Sequence, residues 1–297
     1  MYDVIIIGAG PAGLTGAIYA RRAMKSVLVL EALSYGGQII NTLSIENYPA
    51  LPNVSGFDFA TNLYIQAKEL GTEIRFEKVL EISEGSLKKV ITSKNTYEAR
   101  TVILATGCEN RKLGLAKEEE FTGKGVSYCA TCDGNFYKGK TVAVVGGGNT
   151  ALEDALYLSD IASKVYLIHR RDAFRGEETT LNLLKKKGNI EFILNSNVTK
   201  LIGTDKLEKI VVNNDKEMNV SGLFIAVGKI PLNDGFKNLI NLSDGGYVLS
   251  TEDCHTNVPG IFVAGDVREK DLRQLVTATS DGAVAASEAI KYINEEE

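Results

Sequence analysis

Residues 3–13 read Asp-Val-Ile-Ile-Ile-Gly-Ala-Gly-Pro-Ala-Gly, and a largely apolar stretch follows them as far as Ala23. The apolar run that ends at Ile7 predicts a buried parallel strand. The three glycines permit a tight turn, close approach of the backbone to a pyrophosphate and close packing of a helix on the strand. Pro11 suits the first turn of that helix. The stretch therefore predicts a strand, turn and helix that bind a dinucleotide.

An acidic residue follows this turn at the spacing that such a site requires. The next predicted strand, residues 26–30, ends at Glu31, which lies 18 residues after Gly13. A carboxylate there accepts hydrogen bonds from ribose hydroxyls and repels a 2′-phosphate. The first site is therefore expected to bind FAD or NAD. The alternative is a strand-to-helix turn with no ligand.

The same pattern recurs in the middle of the chain with a different charge. A predicted strand at residues 141–145 leads into Gly146-Gly-Gly-Asn-Thr-Ala151, and His169 lies 18 residues after Ala151. Arginines follow where the first copy has Glu31, and guanidinium groups bind phosphate with two hydrogen bonds, so this copy is expected to prefer NADP. A solvated helix start that pairs with nearby carboxylates is the alternative. The residues expected to bind this second nucleotide are Gly146, Gly148, Asn149, Thr150, Ala151, His169, Arg170, Arg171 and Arg175.

The order of predicted elements after each glycine turn is also the same, which indicates a duplicated nucleotide-binding domain. The fold class expected is α/β, with two Rossmann-like three-layer nucleotide-binding domains, the second inserted into the first. The expected boundaries place the first part of the first nucleotide-binding domain at 1–113, the inserted domain that carries the cysteine pair and is expected to bind NADPH at 114–243, and the second part of the first domain at 244–297. The last apolar strand ends in Gly265-Asp266 and is expected to direct Asp266 at the first cofactor.

A pair of cysteines, Cys129 and Cys132, lies at the start of the expected insertion. Two intervening residues let the sulfurs bond to each other, which is the spacing of a dithiol that cycles with its disulfide. Asp133 follows directly and could move the proton that thiol exchange requires. The alternatives are a structural disulfide or half of a zinc site. Because Cys108 and Cys254 are solitary, no metal is expected.

Composition narrows the classes of function. The 297 residues carry a net charge of −5 with no basic stripe, so nucleic acid is not an expected partner. The apolar run near the start, residues 4–7, is too short for a signal peptide or a membrane span, so a cytoplasmic location is expected. Thiols are kept reduced there, which favours a catalytic cysteine pair over a structural one.

Nearly the whole chain resembles the low-molecular-weight, bacterial-type thioredoxin reductases, which are flavoprotein disulfide reductases. The resemblance is carried by both glycine turns, Gly36-Gly-Gln38, Glu46-Asn-Tyr-Pro49, Cys129-Ala-Thr-Cys-Asp133, His169-Arg-Arg171 with Arg175, Gly265-Asp266 and Arg273-Gln274. It implies that the first domain binds FAD, and it implies a homodimer in which electrons pass from NADPH through FAD to the cysteine pair and then to thioredoxin. It also implies that Cys132 lies nearer the flavin and attacks first, that Cys129 resolves, and that Asp133 is the acid. The residues expected to bind FAD are Gly8, Gly10, Gly13, Glu31, Gly37, Gln38, Asn47, Gly107, Asp266, Arg273 and Gln274.

One flavin face cannot contact both the nicotinamide and the disulfide, and members of this family rotate the inserted domain between the two. Mobile linkers are therefore expected near 113–125 and 233–245. The chain departs from the family at Asn149-Thr150, where Asp-Ser is frequent, and at Asp154, where Glu is common. A flavin-binding redox sensor, or a reductase of the same fold with another electron donor or another small dithiol protein, remains an alternative.

Overall fold

The computed structural model describes residues 1–42, 44–51 and 53–296. Packing divides the chain into two compact units, Met1–Glu109 with Ile230–Glu297, and Asn110–Lys229. The second unit is thus continuous in sequence and interrupts the first. Leu43 and Pro52, in the irregular segment predicted between residues 32 and 56, lie outside the described residues.

The first unit contains a seven-stranded sheet with the order β3-β2-β1-β6-β5-β4, in which β17 also pairs with β6. Strands β1, β2, β3, β6 and β17 are parallel to one another, whereas β5 is antiparallel to both β4 and β6. The elements are β1 Tyr2–Ile7, α1 Pro11–Arg22, β2 Val27–Glu31, a 3-10 turn Gly37–Asn41, α2 Gly56–Glu69, β3 Glu73–Phe76, β4 Val79–Ser83, β5 Lys88–Thr92, β6 Thr96–Leu104, β17 Ile261–Val263 and α7 Leu275–Glu295.

Strand β1 shows why this sheet has cores on both faces. Val4 and Ile6 belong to one buried cluster with side chains of α1 and α7, while Ile5 and Ile7 belong to a second cluster on the other face. Successive strand side chains point to opposite faces, so a continuous apolar run is the pattern of a strand that is covered on both sides. The first unit is therefore layered around its sheet, as the apolar run at residues 4–7 predicts.

The second unit repeats this arrangement in a parallel five-stranded sheet with the order β11-β10-β9-β15-β8, accompanied by an antiparallel sheet β12-β13-β14. The elements are α3 Glu118–Phe121, β8 Val126–Ser127, α4 Ala130–Asp133, a 3-10 turn Gly134–Tyr137, β9 Thr141–Gly146, α5 Asn149–Ser159, β10 Lys164–Ile168, α6 Glu178–Lys185, β11 Ile190–Ile193, β12 Val198–Ile202, β13 Lys209–Val212, β14 Lys216–Asn219 and β15 Gly222–Ala226. Where the chain passes between units, β7 Cys108–Asn110 pairs with β16 Lys229–Pro231.

The registers of the two sheets confirm the predicted duplication. In the first unit Ile7 pairs with Leu30, so Gly8 and Glu31 follow at neighbouring strand ends. In the second unit Val145 pairs with Ile168, so Gly146 and His169 occupy the corresponding places. The predicted fold class, α/β with two Rossmann-like domains, is confirmed. Parallel strands end at the same edge of a sheet, and each glycine turn therefore lies beside the residue that follows the second strand.

Candidate active site

The first glycine turn joins β1 to α1 and leaves no room for a side chain at Gly8 or Gly13. Gly8 has a φ of 109°, and a Cβ there would lie 2.3 Å from the carbonyl oxygen of Ala105. A Cβ on Gly13 would lie 1.9 Å from the carbonyl oxygen of Gly8. Gly10 is the N-cap of α1 and supplies no side-chain acceptor to the amides of the first helical turn. Such uncapped amides at a helix N-terminus can bind phosphate oxygens.

Glu31 and the loop after it pack against this turn. The Ala9 amide donates to Glu31 Oε2 over 2.8 Å, and the Leu33 amide donates to Oε1 over 2.9 Å. Each carboxylate oxygen can accept a further hydrogen bond, so these contacts leave capacity for ribose hydroxyls. The Gly36 amide donates to the Ala9 carbonyl over 2.8 Å. The structure thus brings Gly37 to the first glycine turn, while Gln38 is exposed in the 3-10 turn.

A second group of predicted residues gathers around the N-terminus of α7. Asn47 donates through Nδ2 to Gln274 Oε1 over 3.0 Å, and Gln274 caps α7 in a reciprocal pair of bonds with Thr277. The Arg273 guanidinium donates to the Asp266 carbonyl over 3.1 Å. Gly107 has a φ of 70°, and a Cβ there would meet nothing within 4 Å. The structure thus joins Asn47 to Gln274 and Arg273 to the backbone of Asp266, and it leaves space for a side chain at Gly107.

The second glycine turn joins β9 to α5 and repeats the constraints of the first. A Cβ on Gly146 would lie 2.3 Å from the Ala226 carbonyl oxygen, but one on Gly148 would meet nothing within 4 Å. Gly148 is the N-cap of α5 and provides no side-chain acceptor. Asn149 accepts the Glu177 amide through Oδ1 over 2.8 Å and so fixes the neighbouring loop. Thr150 is exposed beside it and Ala151 is buried.

The basic cluster after β10 divides into one buried ring and three exposed arginines. His169 is 5% exposed, and its ring stacks on Phe174 at 5.3 Å between centroids. A Cβ on Gly147 would lie 2.1 Å from this ring, so His169 packs directly beneath the glycine turn. Burial lowers the pKa of His169, and the charges of the neighbouring arginines lower it further. The exposed side chains are Arg170, Arg171 and Arg175.

The predicted alternative for these arginines required carboxylate partners. Among the ion pairs of the described residues, none joins Arg170, Arg171 or Arg175 to a carboxylate. The Arg175 backbone amide donates to the Gly147 carbonyl over 2.7 Å, which ties the arginine loop to the glycine turn. Three guanidinium groups are therefore exposed beside the second glycine turn.

Cys129 and Cys132 form a disulfide with Cα atoms 5.3 Å apart. Cys129 is the N-cap of α4, a helix of a single turn, and both cysteines are half-buried. The Thr131 hydroxyl lies 3.4 Å from Cys129 Sγ and acts as the donor, since a disulfide sulfur carries no proton. The pair is thus accessible at the start of a turn whose amides stabilise a thiolate.

Asp133 is connected to the cysteine turn through Ser127. The Ser127 hydroxyl donates to Asp133 Oδ2 over 2.6 Å, and its oxygen accepts the Cys129 amide over 3.1 Å. Burial and the charge of Asp133 raise the pKa of Tyr137 to about 12, so this phenol stays protonated at neutral pH. The carboxylate is therefore held by a hydroxyl within the redox turn.

Comparison with known proteins places the chain in a family. Residues 2–282 match the model of the pyridine nucleotide-disulphide oxidoreductases. The chain belongs to this family. A thioredoxin reductase of Listeria monocytogenes is 45% identical over 99% of this chain and 95% of its own length. The structure of thioredoxin reductase from Streptococcus pyogenes has a TM-score of 0.95 at 40% identity, with 99% of each chain covered. That of Lactococcus lactis thioredoxin reductase in the FR conformation has a TM-score of 0.69 at 39% identity, covering 99% of this chain and 100% of its own.

Family membership agrees with what the two glycine turns can hold. In both turns the glycines leave the backbone uncovered by side chains. A Cβ on Gly107 or on Gly148 would have no atom within 4 Å. The first turn lies beside a carboxylate and the second beside three exposed guanidinium groups, as FAD and NADPH respectively require. The residues present therefore fit both dinucleotides of a pyridine nucleotide-disulphide oxidoreductase.

The sequence did not indicate several residues that hold the predicted site residues or the segments next to them. Ser127, which joins Asp133 to the Cys129 amide, is an ordinary serine two residues before the pair. Glu118 is 2% exposed and accepts the Tyr128 hydroxyl over 2.7 Å, together with three backbone amides of residues 113–115. Asp281, inside the alanine-rich α7, forms a buried ion cluster with Arg268 and Lys270. The only signal for Asp281 is a charge within an apolar helix.

Other kinds of site find no support in the described chain. Within residues 1–42, 44–51 and 53–296, no three His, Cys, Asp or Glu side chains are grouped as metal ligands. Of the helices in that part of the protein, none is both long enough and apolar enough to span a lipid bilayer.

Proposed function

We propose that the protein is an NADPH-dependent thioredoxin-disulfide reductase that uses FAD and the Cys129–Cys132 pair. The observation that carries the proposal is the half-buried disulfide at the N-cap of α4, in the same unit as the arginine-flanked glycine turn. Relatives that cover nearly the whole chain bear the name thioredoxin reductase. When bound, NADPH would supply two electrons and FAD would relay them to the disulfide.

The proposed roles of the protein's residues follow from this site. Two electrons and two protons convert the Cys129–Cys132 disulfide into two thiols. Cys132, as a thiolate, attacks the partner's disulfide and forms a mixed disulfide; Cys129 then attacks Cys132, which restores the Cys129–Cys132 bond and releases the partner as a dithiol. Asp133, held by Ser127, takes and returns the protons. The net change is the oxidation of one NADPH and the reduction of one disulfide.

The cofactor-binding residues divide between the two glycine turns. In the proposal the first turn, with Glu31, Gly37 and the residues around the α7 N-terminus, holds FAD. The second turn holds NADPH, with the 2′-phosphate bound by the exposed arginines. Because His169 is buried beneath Gly147, we assign it the role of supporting the turn. The assignment of residues 1–113 and 244–297 to an FAD domain and of 114–243 to an NADPH domain remains a prediction.

The proposal includes rotation of the inserted domain between the two half-reactions. Its support is that the cysteine pair and the second glycine turn belong to the same unit. In the proposal the NADPH at that turn gives electrons to the flavin, and the cysteine pair takes electrons from the same flavin. A crosslink that fixes the two domains to each other should stop turnover and leave FAD bound. Normal turnover in the crosslinked protein would exclude rotation.

The partner, oligomeric state and location are also proposals. We expect thioredoxin as the partner, a homodimer, and a cytoplasmic location. Support for the dimer comes from large apolar side chains exposed on two packed helices of the first unit, Tyr19 on α1 and Phe57 and Ile65 on α2. Support for the location comes from Cys108 and Cys254, which are buried thiols outside any disulfide, as is typical of reducing compartments.

The decisive experiment measures NADPH-driven reduction of thioredoxin by the purified, yellow protein. Cys132→Ser should leave the flavin reducible by NADPH but lower thioredoxin reduction to background. Cys254→Ser is the matched control, because burial raises the pKa of the Cys254 thiol to about 12 and keeps it unreactive. Thioredoxin reduction at the normal rate by Cys132→Ser would contradict the proposal. Flavin binding without steady NADPH consumption in the unaltered protein would favour a redox sensor instead.

A further inference from the structure

A buried cluster of three charged side chains lies at the end of β17 in the first unit. Arg268 Nη1 and Asp281 Oδ1 are 2.6 Å apart, and Lys270 Nζ and Asp281 Oδ2 are 2.7 Å apart. Arg268 is 5% exposed and Asp281 is 9% exposed. Desolvation of such charges is costly, and buried ion clusters often contribute little net stability. A gain in net stability therefore does not explain why these charged side chains are buried at this position.

The polar groups of the cluster tie together three segments that are distant in sequence. Asp281 on α7 accepts the Gly265 amide through Oδ2 over 2.9 Å. The Arg268 guanidinium also donates to the Ser250 hydroxyl and to the Thr251 carbonyl, each over 2.8 Å. The carboxylate thus accepts three hydrogen bonds, and one of them comes from the backbone of the turn after β17.

That turn carries Asp266, a predicted FAD-binding residue. Gly265 has a φ of 81°, so the chain bends in the left-handed region immediately before Asp266. The Asp281 carboxylate fixes the amide at the start of this bend, and Arg273 binds the Asp266 carbonyl over 3.1 Å from the other side. Both contacts are to the backbone, so they set the direction of the Asp266 side chain without using its carboxylate.

Asp281 also lies where α7 passes the first glycine turn. A Cβ on the next residue, Gly282, would lie 2.1 Å from the carbonyl oxygen of Ala12, which follows Pro11 at the start of α1. A Cβ on Gly265 would lie 2.9 Å from the Ala12 side chain. The contacts of Asp281 therefore fix the Gly265–Asp266 turn relative to the helix whose N-terminus is the proposed pyrophosphate site.

We propose that Asp281 is a positioning residue that holds the Gly265–Asp266 turn in the conformation that binds FAD, with Arg268 and Lys270 balancing its charge. The inference rests on the proposed function only in that the first unit must bind FAD. In this role Asp281 does not itself contact the cofactor. It acts through the backbone amide of Gly265.

The test measures the rate of FAD release from three holoenzymes: the unaltered protein, the Asp281→Asn variant and a control variant. The rise in fluorescence of free flavin reports the release. Asp281→Asn keeps the shape of the side chain but removes the charge that the Gly265 amide and both cations bind. We expect FAD release to be about 10- to 100-fold faster, the range for hydrogen bonds to charged groups. The visible circular dichroism of bound flavin should change as well, and the Gly265 amide should exchange faster with deuterium. Glu288→Gln, which alters a carboxylate on the same helix bound to His255, should change none of these.

A purely structural role would lower the melting temperature but leave the FAD release rate and the flavin dichroism as they are, and that result would overturn the inference. Lys270→Met provides a second test if Asp281→Asn does not fold, because it removes one partner of the same carboxylate oxygen. It should speed FAD release by a factor of about 3 to 10, in the range for one hydrogen bond. An unchanged rate in Lys270→Met would also overturn the inference. Failure of the unaltered protein to bind FAD would instead refute the proposed function.

Discussion

The carboxyl group of Asp154, on α5, is expected to make the stability of the second unit depend on pH. This carboxyl accepts the amide of Ala130, the residue that follows Cys129 in the redox turn. Burial and the neighbouring charge of Glu153 raise the pKa of Asp154 to about 7, although the Lys229 charge and the Ala130 amide act in the opposite direction. Asp154 is therefore close to half protonated at neutral pH, whereas an aspartate in the unfolded chain is ionised.

The sign of the effect on stability follows from proton binding. The folded protein holds the Asp154 proton up to about pH 7, whereas the unfolded chain releases it near pH 3.8. The stabilisation is thus fully present below the unfolded pKa and is lost as the pH rises through the folded pKa. At about 1.4 kcal/mol per unit of pKa, the free energy of unfolding falls by about 4 kcal/mol across this range. Partial contact with solvent reduces the expected change to about 2 to 4 kcal/mol.

Asp154→Asn should remove this dependence, because an amide does not titrate. At pH 8.5 we expect the variant to be about 2 to 4 kcal/mol more stable than the unaltered protein, and near pH 4.5 we expect the difference to be small. Deuterium exchange of the α5 amides reports the opening free energy of the second unit without assuming that both units unfold together. Comparison of the two proteins at each pH cancels the intrinsic pH dependence of exchange.

Asp205→Asn is the matched control, since it removes the same charge from an exposed position of the same unit. It should shift the opening free energy by less than about 0.5 kcal/mol at either pH. If Asp154→Asn changed the opening free energy equally at pH 4.5 and pH 8.5, the carboxyl would titrate normally and the reasoning from burial would be wrong.

Three further predictions concern the two nucleotide turns and the redox turn. Replacing Arg170 and Arg175 with leucine should lower the preference for NADPH over NADH, measured as a ratio of kcat/KM values, by about 10- to 100-fold; an unchanged ratio would refute the assignment of the 2′-phosphate. Ser127→Ala removes the hydroxyl that donates to Asp133 and should slow thioredoxin reduction about tenfold with FAD content unchanged, whereas a normal rate would show that this contact is dispensable. Gly13→Ala would place a methyl group 1.9 Å from a backbone oxygen and should yield protein with little bound FAD. Absorbance at the flavin band measures the FAD content, and a full complement of flavin would contradict the proposed close packing.

The elements that bind nucleotides were predictable because their signals are local. An apolar run followed by spaced glycines indicates a buried strand and a tight turn, and the structure has both at β1 and β9. The 18-residue spacing to Glu31 and His169 corresponds to strand registers that place these residues at equivalent sheet positions. The cysteine pair was predictable for the same reason, since two intervening residues bring the sulfurs within bonding distance in a single turn.

Contacts between distant segments were not predictable in this way. The sequence shows a His-Arg-Arg run but does not reveal that His169 lies under Gly147 while the arginines are exposed. It shows Asp154 on a helix but not its contact with Ala130, on which the raised pKa depends. Burial of a side chain depends on how sheets and helices pack, and single-sequence periodicity does not report that.

The α/β architecture, the repeated nucleotide-binding pattern with its two unlike charges, and the redox spacing of Cys129 and Cys132 could all be predicted from the amino-acid sequence. Each of these depends on backbone conformations and charges within a few residues, or on spacings that the strand-turn-helix unit fixes. Two arrangements became visible only in the folded protein: Asp281 of the last helix binds the Gly265 amide and two cations, and Ser127 holds Asp133 beside the cysteines. These arrangements join side chains and backbone groups whose distances are set by packing. Folding removes these polar groups from water together, so each of them must form its hydrogen bonds with the groups packed beside it.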